Sequence, residues 1–472
     1  MSLVIANCTL INGVADAPIP QQSLWIEQGR IKGIGAINEL SAPSTVQVID
    51  AAGKYVIPGL MDGNVHLLMD LRLENLVRYE NQFEDLIAEA AQVALKNGVT
   101  TVFDTAGPRQ PLIAVRNKIH AGKVAGSRIF CAGWIIGLDG PYSPDFYPKT
   151  VEVASTVMVE RINSLWAENI GPNLMWMTLE DMLSEIRSYV GRGIDFVKYA
   201  SSDHRGWGPP FLVFSAEAQA GIVDEAHRAG LTAQAHTTSV ESLRVAILAG
   251  ADIIQHCNIT GATPIPNATL QMLVERNIAS TVLPFTDRRF KWLMDKFGPE
   301  SPVGQYFAAS DQNVRNMVRC GARLMLATDG GVLAPEVTTD PVLVNSWAAP
   351  GEDNLSELGQ GHFHWLKSME EKGFPPMEIL RAATVNIAKA YRKDKDLGTL
   401  EPGKLADLLI LDADPLKAAE NYRSIHRVIQ NGVIVDRSNL PLRPLLTRPP
   451  EPSAFGASAS RAHPVGRFPL CC

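Results

Sequence analysis

Six polar side chains in this sequence close apolar runs, and five of them, all but a lysine, are of types that can hold a metal ion. Asn64 and His66 lie in the run Val56 to Asp70 (VIPGLMDGNVHLLMD), where the apolar segment Tyr55-Val56-Ile57 meets Pro58-Gly59 and a second apolar segment follows. Alternate side chains of a β-strand share a face, so Asn64 and His66 point the same way. Lys198 follows Gly193-Ile-Asp-Phe-Val, and His236 follows Gly230-Leu-Thr-Ala-Gln-Ala. His256 follows Gly250-Ala-Asp-Ile-Ile-Gln, and Asp329 ends Gly321-Ala-Arg-Leu-Met-Leu-Ala-Thr. Imidazole and carboxylate are donors for Zn, Co, Mn or Fe. A lysine at the inner end of a strand is costly unless it has a task. Each residue alone has an ordinary alternative, such as a satisfied strand-end histidine or a turn aspartate before a Gly pair. Their shared setting is what argues for a site.

That setting is a repeating unit: a helical stretch, a Gly at its end, a short β-branched or apolar run, then a polar residue. Gly98-Val-Thr-Thr-Val-Phe-Asp104 is a further example. Gly fits the left-handed position that ends a helix, and the run after it reads as the next parallel strand. Eight strands are expected, at 60–66, 99–104, 128–134, 194–199, 231–236, 252–256, 279–284 and 323–329. Helical stretches such as Glu217 to Arg228 and Val240 to Leu248 lie between them. Alternation of this kind predicts an α/β fold, a (β/α)8 TIM barrel whose active site is built at the C-terminal strand ends. The polar residues fall at those ends. Before the barrel, Leu3 to Leu10, Ser23 to Ile34 and Val46 to Ile49 read as short strands. After it come a helix at Pro376 to Tyr391 and strands at Leu408 to Leu411 and Val428 to Val435. The Pro-, Ser- and Ala-rich tail, 441–472, reads as extended or disordered.

The stretch around His66 resembles the PG-(L/I)-(I/M)-D-x-H-x-H signature of the amidohydrolase superfamily. The order His66, Lys198, His236, His256, Asp329 on strands 1, 4, 5, 6 and 8 resembles that family's pattern. Leu397-Gly-Thr-Leu-Glu-Pro-Gly-Lys-Leu-Ala-Asp407 is similar to its C-terminal segment. The resemblance spans about residues 1 to 440. It implies a small β-sandwich domain formed by 1–57 and 396–440, with the barrel, 58–395, inserted between its halves. It also implies metal ligands at Asn64, His66, Lys198, His236, His256 and Asp329, with Lys198 carbamylated into a carboxylate donor. Lys198, His256 and Asp329 are then the catalytic set, with Asp329 binding metal and shuttling a proton. One position departs from the signature: Asn64 stands where the first His belongs. An amide oxygen is a poorer ligand than imidazole for a borderline-soft metal, so one divalent ion per chain (Zn, Co, Mn or Fe) is expected rather than two. An Asn-x-His pair resembles the subgroup of phenylurea and molinate (thiocarbamate) hydrolases.

The implied activity is therefore hydrolysis of an aryl urea C–N bond, with thiocarbamate C–S cleavage as the alternative on the same site. A dipeptidase or N-acyl amino acid hydrolase comes third, and Gly137-Leu-Asp-Gly-Pro-Tyr142 lacks the Gly-His-Gly loop of related dipeptidases. A barrel that has lost catalysis is the non-enzymatic alternative, against which stand four retained polar residues. Substrate contacts are expected from His204, Trp207 and Tyr142 in the loops after strands 3 and 4. His362 and His364 are expected at the barrel mouth or in helix packing, and His227 within a helix.

Composition sets outer bounds. At 472 residues, 46% apolar and 20% charged, the chain suits a large barrel plus a small module. A net charge of −7 argues against nucleic acid as a partner. No apolar run approaches the roughly 20 residues that span a bilayer, and MSLVIANCTLING is not a secretory leader. The six cysteines lack zinc-finger or redox spacing. A cytoplasmic enzyme for a small-molecule substrate, assembled as a homo-oligomer, is the expectation.

Overall fold

The computed structural model describes residues 2–43, 45–68, 74–146, 154–204, 209–335 and 351–448. All eight expected strands form, seven of them shorter than the sequence pattern and the second, Val99–Asp104, of the expected length. Strand 1 is Leu60–Val65, strand 2 Val99–Asp104, strand 3 Arg128–Cys131 and strand 4 Val197–Ala200. Strand 5 is Ala233–His236, strand 6 Ile253–Gln255, strand 7 Ala279–Val282 and strand 8 Leu324–Leu326. They pair in parallel as two sheets, strands 1 to 3 and strands 4 to 8. Single parallel bridges join the sheets, Val65 to Gly330 at one seam and Ile136 to Tyr199 at the other. Asp329 N donates to Asn64 O at 2.9 Å across the first seam, and Ile136 N to Lys198 O at 2.9 Å across the second. The ring of eight is complete, and its seams run through the candidate residues.

Local chemistry explains the alternation. Ser239 caps the helix Val240–Ala249, its hydroxyl accepting from Ser242 N at 3.1 Å, and Gly250 ends that helix at φ 89°. A side chain at such a φ would be strained. Between the caps, buried positions such as Leu243, Ala246 and Ile247 recur at helical spacing and pack inward. The barrel interior is plugged by aromatic rings. Tyr391 stacks on Phe103 with centroids 3.8 Å apart, and its hydroxyl donates to Gly63 O at 2.7 Å.

Strands from both chain ends share one mixed sheet of eight strands. In its central order Leu408–Leu411 pairs antiparallel with Tyr55–Pro58, which pairs in parallel with Ser2–Leu10. The two-residue period assigns each face a different core. Val56, Leu408 and Ile410 join the small cluster with Leu3, Ile5 and Leu24, while Ile57, Leu409 and Leu411 join the barrel's core.

Residues 441–448 run in irregular bends but are docked, because buried Glu89 in the helix Phe83–Lys96 collects their donors. Its carboxylate accepts from the backbone N–H of Leu445, Leu446 and Thr447 at 2.8–3.0 Å and from the Thr447 hydroxyl at 2.6 Å. Residues 449–472 lie outside the described residues.

Candidate active site

Strand ends bring the candidate residues together in two linked groups. At the seam of strands 1 and 8, Asp329 Oδ1 accepts from Asn64 Nδ2 at 2.6 Å and faces His66 Nε2 at 3.1 Å. At the ends of strands 5 and 6, His236 Nδ1 and His256 Nε2 are 2.9 Å apart. Lys198 Nζ donates to Thr105 Oγ1 at 2.9 Å, and Thr105 Oγ1 donates to Asn64 Oδ1, which ties strand 4 to the first group. Charge links Lys198 to the first group as well, since it favours the ionised form of Asp329.

The backbone pays to present two of these side chains. His256 and Asp329 stand at φ 35° and 53°, in the left-handed region that non-glycine residues seldom adopt. Each is braced. His256 N donates to Thr281 Oγ1 at 2.7 Å, and that hydroxyl donates to Gln255 Oε1 at 2.7 Å. Before Asp329, the Thr328 hydroxyl donates to Asp62 Oδ2 at 2.7 Å, while Asp62 Oδ1 accepts from Asn64 N at 3.2 Å. Asp62 thereby staples strand 1 to strand 8.

Burial dominates the electrostatics. It drives the His256 imidazole down to about 3 and the His236 imidazole well below its usual value, so both rings are neutral with lone pairs available. It pushes the Asp62 carboxyl up to about 7 and that of Asp104 up to about 6. Burial also acts against the charge of Asp329. There the His66 hydrogen bond and the electrostatic pull of its neighbours, Lys198 among them, outweigh it, and the carboxyl falls to about 2.

The loop residues fare differently. His204 is buried with its ring centroid 5.2 Å from that of His236, its Nδ1 2.9 Å from Asp145 O and its face on Phe146. Burial lowers its imidazole to about 4, and its Nε2 makes no hydrogen bond among the described residues. Tyr142 is buried, its backbone N–H and C=O both tied to Asn163 at 2.8–2.9 Å. Trp207 lies outside the described residues. His362 and His364 pack inside the helix Gly361–Glu371, and His227 pairs with Asp252 at 2.8 Å. Thr105 and Asp62 were not singled out from sequence: a Thr one residue past a strand and an Asp inside an apolar run carry no periodic mark.

The model of the amidohydrolase family matches residues 55–435, most of the chain. This chain is an amidohydrolase. Among solved structures it is similar to molinate hydrolase, with 37% identity, TM-score 0.89 and 95% of this chain covering 98% of that one. Phenylurea hydrolase B matches at 34% identity and TM-score 0.88, with 95% of this chain covering all of that one. The imidazolonepropionase of Brevibacillus brevis is 24% identical over 88% of this chain and 90% of its own length. The amidohydrolase is thus an enzyme of the branch that holds the molinate and phenylurea hydrolases. Among the described residues, no helix is long and apolar enough to cross a membrane.

Superfamily members generally bind divalent metal ions. The donor chemistry here fits such an ion. Neutral imidazoles and an ionised carboxylate are metal-binding forms. The separations of 2.9 and 3.1 Å within the two pairs suit two ligands at about 2.0–2.1 Å from one ion. Among the described residues no three His, Cys, Asp or Glu side chains already converge as a cage. Lys198, on strand 4, reaches the first pair through Thr105 and Asn64.

Proposed function

We propose that this amidohydrolase cleaves the carbonyl C–N bond of an aryl urea, releasing an arylamine and a carbamate. What supports the reading is the depth of the match to the two herbicide-named hydrolases, 37% and 34% identity over 95% of the chain. A Xaa-Pro dipeptidase, by contrast, matches at 20% identity, a likeness of fold. The molinate hydrolase match supports thiocarbamate C–S cleavage as the second reading on the same residues.

His66, His236, His256 and Asp329 would hold one divalent ion, and Lys198, once carboxylated, would add a carboxylate donor. Such an ion lowers the pKa of a water it meets from about 15.7 toward about 7 and polarises a carbonyl. Asp329 accepts the proton of the attacking water and returns it to the leaving nitrogen as the C–N bond breaks. His204, whose Nε2 has no hydrogen-bond partner among the described residues and whose ring lies beside His236, would meet the substrate's polar end. Phe146, stacked on His204 and 5.2 Å from Trp134, adds an aromatic wall. We further propose that 1–57 and 396–440 form a composite β domain carrying the barrel.

Chelation and reconstitution test the reading. The purified enzyme should release an arylamine from an N-aryl-N′,N′-dimethylurea, lose that activity with its metal and regain it when Zn, Co, Mn or Fe is restored. Arylamine release undiminished after complete metal removal would refute the mechanism.

A further inference from the structure

The hydrogen-bond chain around Asn64 has a fixed direction. A carboxylate only accepts, so the Asn64 group facing Asp329 at 2.6 Å is the N–H, and the amide oxygen faces the other way. That oxygen also only accepts, so Thr105 donates its single hydrogen to it. The Thr105 oxygen is then left to accept, and Lys198 Nζ supplies the N–H at 2.9 Å. Every member is buried: Asn64, Thr105 and Lys198 are at most 1% exposed. Water does not compete for these groups, so the direction is locked.

We infer that Thr105 is a positioning residue, which turns the Asn64 amide so that its N–H, not its oxygen, meets Asp329. Asn64 is then a holder of the proton-carrying carboxylate rather than a ligand. Strand 1 contributes one metal-facing atom, the His66 nitrogen. The relay asks only one N–H of Lys198, and a carboxylated Nζ still carries one. Without the Thr105 hydroxyl the amide oxygen is buried with no donor, and the amide is free to turn its oxygen toward Asp329. Two acceptors would then oppose each other and move Asp329 off its place.

The inference rests on the proposed metal site but not on the substrate, and its test is arranged accordingly. The probe is Co(II), loaded into the whole protein and into Thr105→Val and Thr105→Ser. Valine keeps the shape and removes the hydroxyl; serine keeps the hydroxyl. Thr105→Val should weaken Co(II) binding 10- to 100-fold, the range for outer-sphere partners of metal ligands, and shift the visible absorption band. Thr105→Ser should restore both to within a few-fold. With a cleavable substrate, kcat should fall in Thr105→Val with little change in KM. Unchanged cobalt affinity and spectrum in a folded Thr105→Val would overturn the inference, as would a Thr105→Ser variant as impaired as the valine. If no urea or thiocarbamate is cleaved, the cobalt measurements still decide the matter.

Discussion

The chemistry concentrates in a few side chains whose environments can be altered singly. Replacing Lys198 or His256 by Ala should lower hydrolysis at least about 100-fold, the usual scale for metal-site partners, with the circular dichroism spectrum kept. Full activity in either variant would contradict the assigned site. Asn64→His should raise bound metal from near one to near two ions per chain, read by elemental analysis, because imidazole replaces an amide whose oxygen is already taken by Thr105. Much of this site was legible from sequence. His66, Lys198, His236, His256 and Asp329 each end a run that a Gly introduces or a Pro-Gly precedes, and a parallel strand delivers its last residue to the same face as its neighbours'. What was not legible is how those residues hold one another. Thr105 matters through a hydroxyl aimed at Asn64 from just past the end of strand 2, 41 residues away, and no local pattern records such a contact.

At the scale of elements, the barrel strands were readable because each needs an apolar run and a helix stop, both local. The shorter observed lengths have a physical cause as well. Strand 6 ends at Gln255 because His256 leaves β geometry at φ 35° to present its ring. The docking of 441–448 could not be anticipated, since Glu89 sits in a helix where acidic residues are common and its partners lie over 350 residues on. Removing that carboxylate leaves four donors unpaired, one buried and three partly buried. Glu89→Ala should therefore cost about 3 kcal/mol, measured by urea unfolding. Amide exchange at Leu445 to Thr447 should accelerate in the same variant. A loss below about 0.5 kcal/mol, the range of plain surface changes, would mean the docked segment contributes nothing.

For the whole molecule, buried neutral histidines make stability depend on pH. His362, bonded to Asn97 O at 3.1 Å, is driven by burial down to about 3, and His364 likewise. The unfolded chain protonates these rings below about 6.5 whereas the folded chain does not, so their contribution is complete above that pH. It is lost as pH falls from about 6.5 toward 3, at about 1.4 kcal/mol per pH unit for each ring. Asp62, raised to about 7, works the other way: its folded form binds the proton more tightly, and that contribution fades as pH rises from about 4 through 7. In metal-free protein, His362→Gln should flatten the fall of the urea midpoint between pH 6 and 4. An unchanged slope would show that His362 is already charged in the fold.

The claim that unites these scales is that a chain with this barrel and this strand-end set hydrolyses a urea-type carbonyl. Product analysis of the metal-loaded enzyme, offered an N-aryl-N′,N′-dimethylurea, a thiocarbamate and a dipeptide side by side, tests it most directly. Arylamine is expected from the urea, and thiol from the thiocarbamate would move the enzyme to the second reading. Release of amino acids from the dipeptide alone, with urea and thiocarbamate untouched, would contradict it.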